Sequence, residues 1–290
     1  MPEFFDALLN HAFLRYALAA GVLASIGCGV MGTYVVVRRI SFLAGGIAHA
    51  VLGGMGAAYF LGYAPMYGAL AAAVLIALVV GWINLRFREQ EDTLVAALWS
   101  TGMALGIIFI ARTPGYSLDL MSYLFGNILM AAPESVYLMV MLDVVILVTV
   151  TLFYRQFQAV VFDEEFARLR GVRVELVYLL LLVMVAVTVV LLIQVVGLIL
   201  VIALLTLPAA IAGHFAASLG RMMVLATAFG LVFALAGLGL SYEADLPSGA
   251  TIILLAGLGY FLSTFAQRWL RSRRMAASAA DAKARGTLKE

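Results

Sequence analysis

Nine apolar segments dominate this chain, at residues 12–37, 41–62, 64–85, 93–111, 133–154, 174–193, 196–216, 222–241 and 249–268. Crossing a hydrocarbon core of about 30 Å takes roughly 20 helical residues, and every segment is of that order. The expected fold class is therefore an all-α polytopic membrane protein with eight or nine transmembrane helices, nine if none of the segments re-enters. Charged residues make up only 12% of the chain and mean hydropathy is +1.09, against about 25% charge in soluble domains, so little sequence remains for a soluble domain. Pro65, Pro114, Pro133 and Pro247 punctuate junctions between segments, where helices start or stop. The single cysteine, Cys28, lies in the first segment and leaves no disulfide framework or thiolate cluster within one chain. Glu3 and Asp6, with no Lys or Arg before residue 12, are the wrong start for a cleaved signal peptide, so the first segment is expected to be retained.

Orientation follows from the bias of Lys and Arg in short loops. If nine segments alternate, Arg38, Arg39, Arg86, Arg88, Arg155, Arg168, Arg170, Arg173, Arg221, Arg268, Arg271, Arg273 and Arg274 share one side, against Arg15 and Arg112 on the other. This bias predicts an external N-terminus and a cytoplasmic C-terminus. Residues 1–270 form the expected membrane domain. Residues 271–290, Ala-rich and polar, are expected to be a disordered cytoplasmic tail.

The second segment carries the most distinctive chemistry. Gly46, His49, Gly53 and Gly56 recur at spacings of three, four and three, which puts them on one stripe of a helix. Glycines along a face let backbones approach closely, and an ionisable group at membrane depth faces the bundle interior or a water path. The stripe is expected to face protein. His49 reads either as a structural histidine bonded to a neighbouring helix or as a ligand on a pathway. Asp143, mid-way along the fifth segment, sits at similar depth. Placing a carboxylate there costs about 2.5 to 3.5 kcal/mol on insertion scales, so it needs a partner: His49, in a metal-binding or proton-carrying pair, or a hydroxyl or backbone group. Glu243 and Asp245, at the external end of the eighth segment, are placed to attract a cation or are plain loop acids.

Two loops are long. The external one, 112–132, has an apolar half expected to lie as a short helix in the membrane surface. In the cytoplasmic one, within 156–173, Asp163, Glu164 and Glu165 suit a helix start, Arg168 and Arg170 a helix end, and Gly171 a stop. Phe162, Phe166 and Leu169 would be left as an exposed apolar stripe, which favours a docking helix over a solvated connector. No GxxxxGK[ST] loop is present and no lysine precedes Lys283, so ATP hydrolysis by that mechanism is excluded from this chain. HExxH and GxSxG are absent, and His11, His49 and His214 are too scattered for a catalytic zinc cluster. A transport subunit is the stronger class.

Five ordered runs carry a family resemblance: RRISFLAGGIAHAVLGG (38–54), DTLVAALWSTGMALGIIFI (92–110), FDEEFARLRGV (162–172), VVGLILVIALLTLPAAIA (195–212) and DLPSGATIILLAG (245–257). Together they resemble the permease subunits of ABC importers for zinc, manganese and iron, and the last three more distantly resemble cobalamin and iron-siderophore permeases. The resemblance implies a homodimer of permeases in a bacterial-type inner membrane, two cytoplasmic ATPase subunits and an extracytoplasmic metal-binding protein, with no nucleic-acid partner. No resident cofactor is expected: the divalent metal is cargo, and ATP is used by the partner subunit.

By the same resemblance, residues 208–222, including Pro208, His214 and Arg221, would supply a coupling helix entering the ATPase. The loop with Asp163, Glu164, Glu165, Arg168 and Gly171 would lie beside it. Gly45, Gly46, Gly53 and Gly56 would pack closely on the pathway helix. Many members of that family carry an aspartate four residues before the histidine; here that position is Gly45, so a preformed Asp and His site is missing. Asp143, or residues of the second protomer, would complete a site around His49. A chelated metal or organic solute is the alternative cargo.

Overall fold

Inside hydrocarbon every backbone N–H and C=O must be satisfied within its own segment, and the apolar segments answer by forming helices. A computed structural model of the chain describes residues 8, 10–87, 91–113, 126 and 128–286. Within them the helices are α1 (Ala12–Arg38), α2 (Ser41–Phe60), α3 (Pro65–Phe87), α4 (Glu91–Ala111), α5 (Pro133–Leu152), α6 (Tyr154–Phe162), α7 (Glu164–Leu169), α8 (Val174–Val196), α9 (Leu198–Gly213), α10 (Leu219–Ala244) and α11 (Ser248–Gly286). A single 3-10 turn, Ile128–Met130, precedes α5. The surface helix expected in the 112–132 loop falls largely outside the described residues.

All nine apolar segments are helical, and eight are long and apolar enough to cross a membrane. The ninth, α9, has only 16 residues, about 24 Å at 1.5 Å per residue. It follows α8 after a break at Gly197, whose φ of 84° and ψ of 159° lie in a region open to glycine alone. Gly126 meets this break backbone to backbone, leaving no room for a Cβ.

Helices α1 and α8 are the most buried of the spans. Around α1 stand α5, α8, α9 and α10; α2, α3 and α4 form a second group joined to the first mainly through α8; α11 lies along α9 and α10. Contacts along α1 order the packing. Gly27 lies beside Asp143 of α5, Gly29 against Thr227 of α10, and Gly32 against the Leu205 carbonyl of α9, while Val36 and Val37 reach Ala209 and Ala212 at the end of α9. Near Arg38 the ends of α1 and α3 meet the starts of α7 and α8, through the Arg38–Glu164 ion pair, the Arg38 guanidinium over the Tyr178 ring and an Asn84 to Tyr178 hydrogen bond of 2.9 Å. Arg38, Arg86, Arg168, Arg170 and Arg173 lie at the helix ends that meet here, so this end of the bundle is basic.

Two expectations are corrected. No separate helix occupies 208–222: α9 runs through Gly213, residues 214–218 make a turn, and α10 begins at Leu219. Pro208 sits buried inside α9; its ring removes one hydrogen bond without ending the helix. The tail expected to be disordered instead continues α11 to Gly286, because its alanines are the strongest helix formers.

In the second group α2 rests closely on both neighbours: Gly54 and Gly68 bring it backbone to backbone with α3, and Gly53 and Gly102 do the same with α4. A Cβ on Gly53 would stand 2.7 Å from the Gly102 carbonyl oxygen, and one on Gly102 would stand 2.6 Å from that of Ala50. Gly45 is not crowded: a Cβ there would meet only Ile202 Cδ1, at an ordinary contact distance of 3.8 Å. Overpacking costs about 1–3 kcal/mol, so Gly53→Leu is expected to lower the melting temperature of the purified protein by several degrees. Gly45→Ala should leave it nearly unchanged, and equal shifts would refute this packing.

Candidate functional site

The glycine stripe of α2 is seated on α4. Gly46 lies against Val95, Gly53 against Gly102 and Gly56 against Gly106, so the stripe faces protein as its spacing predicts. Between these contacts the His49 ring stacks on Trp99, with centroids 4.4 Å apart and planes 9° apart. Trp99 is held in turn: its Nε1–H donates to Met103 Sδ at 2.9 Å, and Phe42 tilts against it at 6.2 Å. His49 is half-buried, and its ring has no hydrogen-bond partner among the described residues, so a nitrogen is left to bind a ligand. One turn away, Gly45 does not make the close backbone contact expected of it; a Cβ there would touch only Ile202 Cδ1, at 3.8 Å.

Asp143 is placed elsewhere. On α5 the buried positions are Met139, Leu142, Asp143, Ile146 and Val150, the stripe turned toward α1, and there the carboxylate fits only because residue 27 is glycine: a Cβ on it would lie 2.8 Å from Oδ1. Asp143 is 4% exposed, and neither oxygen has a hydrogen-bond partner among the described residues. The expected pairing with His49 is not formed within one chain, since His49 belongs to the α2–α4 group and Asp143 to the α1–α5 contact. Among the described residues no group of three or more His, Cys, Asp or Glu side chains could hold a metal ion.

At the end of the bundle away from the arginines, Glu243 and Asp245 are exposed where α10 stops. Asp245 takes the left-handed conformation, φ 50° and ψ 46°, and its N–H donates to the Ser241 carbonyl. It terminates the helix while leaving its carboxylate in solvent.

The basic end carries an exposed helical elbow. Asp163 caps α7, its Oδ1 accepting from the Phe166 N–H at 2.9 Å, and Gly171 at φ 78° follows the helix, as the acidic start and glycine stop predict. Glu164 is engaged by Arg38, and Arg168 stands 3.7 Å from Glu175 in an exposed pair. α6 anchors the elbow through buried Phe157, Val160 and Val161. Phe162, Phe166 and Leu169 are 64%, 49% and 87% exposed, so the apolar stripe is bare. Beside it the turn 214–218 is tied down twice: Gln267 donates to the His214 carbonyl at 2.7 Å, and the Tyr154 hydroxyl accepts from the Gly220 N–H at 3.0 Å. Arg221 is exposed next to this contact.

Trp99 and Gly27, which supply the surroundings of His49 and Asp143, are not among the residues expected at the site. Trp99 could have been found from its place between Gly102 and Val95 on the face opposed to the α2 stripe. Gly27 carried no such signal.

A bundle of span-length helices enclosing isolated polar groups, with a bare helical elbow at one end, is the architecture of a transporter's membrane subunit. Comparison with known proteins narrows this class: residues 10–267 match the ABC 3 transport family, and the chain belongs to that family. It is 42% identical over 263 residues to an uncharacterized membrane protein of Synechocystis, covering 91% of this chain and 94% of that one. It is 34% identical over 262 residues to the manganese transport system membrane protein MntC of Halalkalibacterium halodurans, covering 90% of each. Among solved structures, a chain of PsaBC from Streptococcus pneumoniae in complex with Fab superposes with a TM-score of 0.83 at 32% identity, over 94% of this chain and 99% of that one.

The Arg38–Glu164 pair joins the core helix α1 to the elbow, and its side chains are only 23% and 33% exposed. Exposed pairs couple by about 0.2–1 kcal/mol, so this shielded one is expected at or above the top of that range. A double-mutant cycle with Arg38→Gln and Glu164→Gln, read by thermal unfolding, should give a positive coupling; strict additivity would refute it.

Proposed function

We propose that this chain is the membrane-spanning permease of an ATP-binding-cassette importer for divalent transition-metal ions, manganese foremost among manganese, zinc and iron. The observation that carries the reading is likeness along nearly the whole chain to a protein named for manganese transport, matched in fold by PsaBC. ATP hydrolysis belongs to a partner, since no phosphate-binding loop exists here. One ATPase subunit docks on the bare stripe of α6–α7 of each permease copy, with Glu165 and Arg168 at its edge and the 214–218 turn and Arg221 completing the contact. The basic end is cytoplasmic by the loop-charge rule, which puts the N-terminus outside and the C-terminus inside. An external binding protein delivers the ion at the opposite end, near Glu243 and Asp245, and a second permease copy completes the path.

His49 is the ligand on that path. Imidazole suits first-row metals, but one nitrogen is a weak site, so Asp143 or groups of the second copy complete the coordination at some stage of transport. A second reading, a chelated metal or organic solute, is favoured by Gly45, which stands one turn before His49 where a carboxylate would complete a bare-ion site. Alternating access carries either cargo.

Elemental analysis of cells expressing the full transporter tests the assignment. Manganese, zinc or iron accumulates in the wild type and falls to background in His49→Ala, with the variant still assembled in the membrane. Unchanged uptake by His49→Ala would remove the ligand role, and ATPase activity without any metal accumulation would favour the second reading. Glu165→Lys is expected to leave ATPase activity while lowering transport at least several-fold; full coupling in that variant would refute docking at the elbow.

A further inference from the structure

A groove of about 840 Å³ opens on the side of the bundle between α1, α5 and α10, within the usual range for ligand sites of about 300–1,000 Å³. Its inner part is apolar, made by Ile26, Val30, Leu147, Val150, Met223 and Val224. Its basic end is polar, made by Thr151, Tyr154, Arg155 and Gln156. The hydrogen bond from the Gly220 N–H to the Tyr154 hydroxyl, 3.0 Å long, ties α6 to α10 and forms the floor there. Leu152 and Val224 at the rim are each 70% exposed, so the groove opens sideways, toward lipid in a membrane.

We propose that this groove holds an anionic phospholipid of the cytoplasmic leaflet, with an acyl chain in the apolar part and its phosphate at Arg155. The order of the lining matches such a molecule: hydrocarbon at membrane depth, hydroxyl and amide groups at glycerol level, then a cation at the basic end. Arg155 is exposed and makes no ion pair among the described residues. Arg155 also lines a smaller second cavity together with Asp163, whose carboxylate is engaged in capping α7 and makes no ion pair with it. Arg221 adds a second positive charge beside Gly220, and basic pockets between helices on the cytoplasmic side recruit anionic head groups. The leaflet rests on the reading of the basic end as cytoplasmic.

Native mass spectrometry of the full chain, released from nanodiscs of mixed phosphatidylglycerol and phosphatidylethanolamine, tests the site. The wild type is expected to retain phosphatidylglycerol several-fold over phosphatidylethanolamine. Arg155→Gln should abolish that preference, Val224→Trp should reduce retention of both lipids, and Arg273→Gln, whose guanidinium lies over Trp269, should change neither. Equal preference in wild type and Arg155→Gln, or full lipid retention in Val224→Trp, would overturn the site. So would disulfide cross-linking of Leu152→Cys between two copies, which would make the groove a protein interface. Labelling of Gln158→Cys from outside intact cells would overturn the leaflet and the topology together, whereas loss of selectivity in nanodiscs bears on the lipid site alone.

Discussion

The close approach of α2 to α4 governs how polar chemistry is displayed in this protein. Lipid offers helices no hydrophobic drive to associate, so packing at short range must hold them together. Gly53, Gly56, Gly102 and Gly106 let each backbone rest on the carbonyls of the other. With the helices so near, the His49 imidazole has one way to lie, flat on Trp99. The ring is thereby oriented by packing alone, with its nitrogens uncommitted, which is the state a transient ligand needs.

Asp143 illustrates the complementary solution. There the missing side chain is on the other helix, and Gly27 of α1 gives the carboxylate its space. One glycine motif builds a contact and the other builds a vacancy for a polar group. The two groups are thus held in separate halves of the bundle, joined mainly through α8, and a change in the relation of those halves is what would alter their separation.

Periodicity along one helix could be read directly from the residues. The stripe of Gly46, His49, Gly53 and Gly56 and the capped helix between Asp163 and Gly171 both depend on neighbours within a few positions, and both are found where spacing puts them. Partnerships between helices could not be read this way. The pairing of Asp143 with His49 was inferred from depth, but depth says nothing of angular position around the bundle. The helix expected across 208–222 failed because α9 tolerates Pro208 and runs on, leaving only a short turn. In the tail, the helix propensity of the alanines prevails over the polar composition. Gly45 lies off the stripe of Gly46, His49, Gly53 and Gly56, and a Cβ there would touch only Ile202.

The length of α11 has a mechanical meaning. It turns away from α10 just after Asp245 and continues unbroken for 39 residues, about 58 Å of helix. Its contacts with α9 and α10 lie in its first part, and the remainder extends past the Gln267–His214 bond. An uninterrupted helix held along only part of its length behaves as a lever. With Gln267, midway along it, bonded to the His214 carbonyl, a tilt set at the acidic corner would move the segment beyond that bond in proportion to its length.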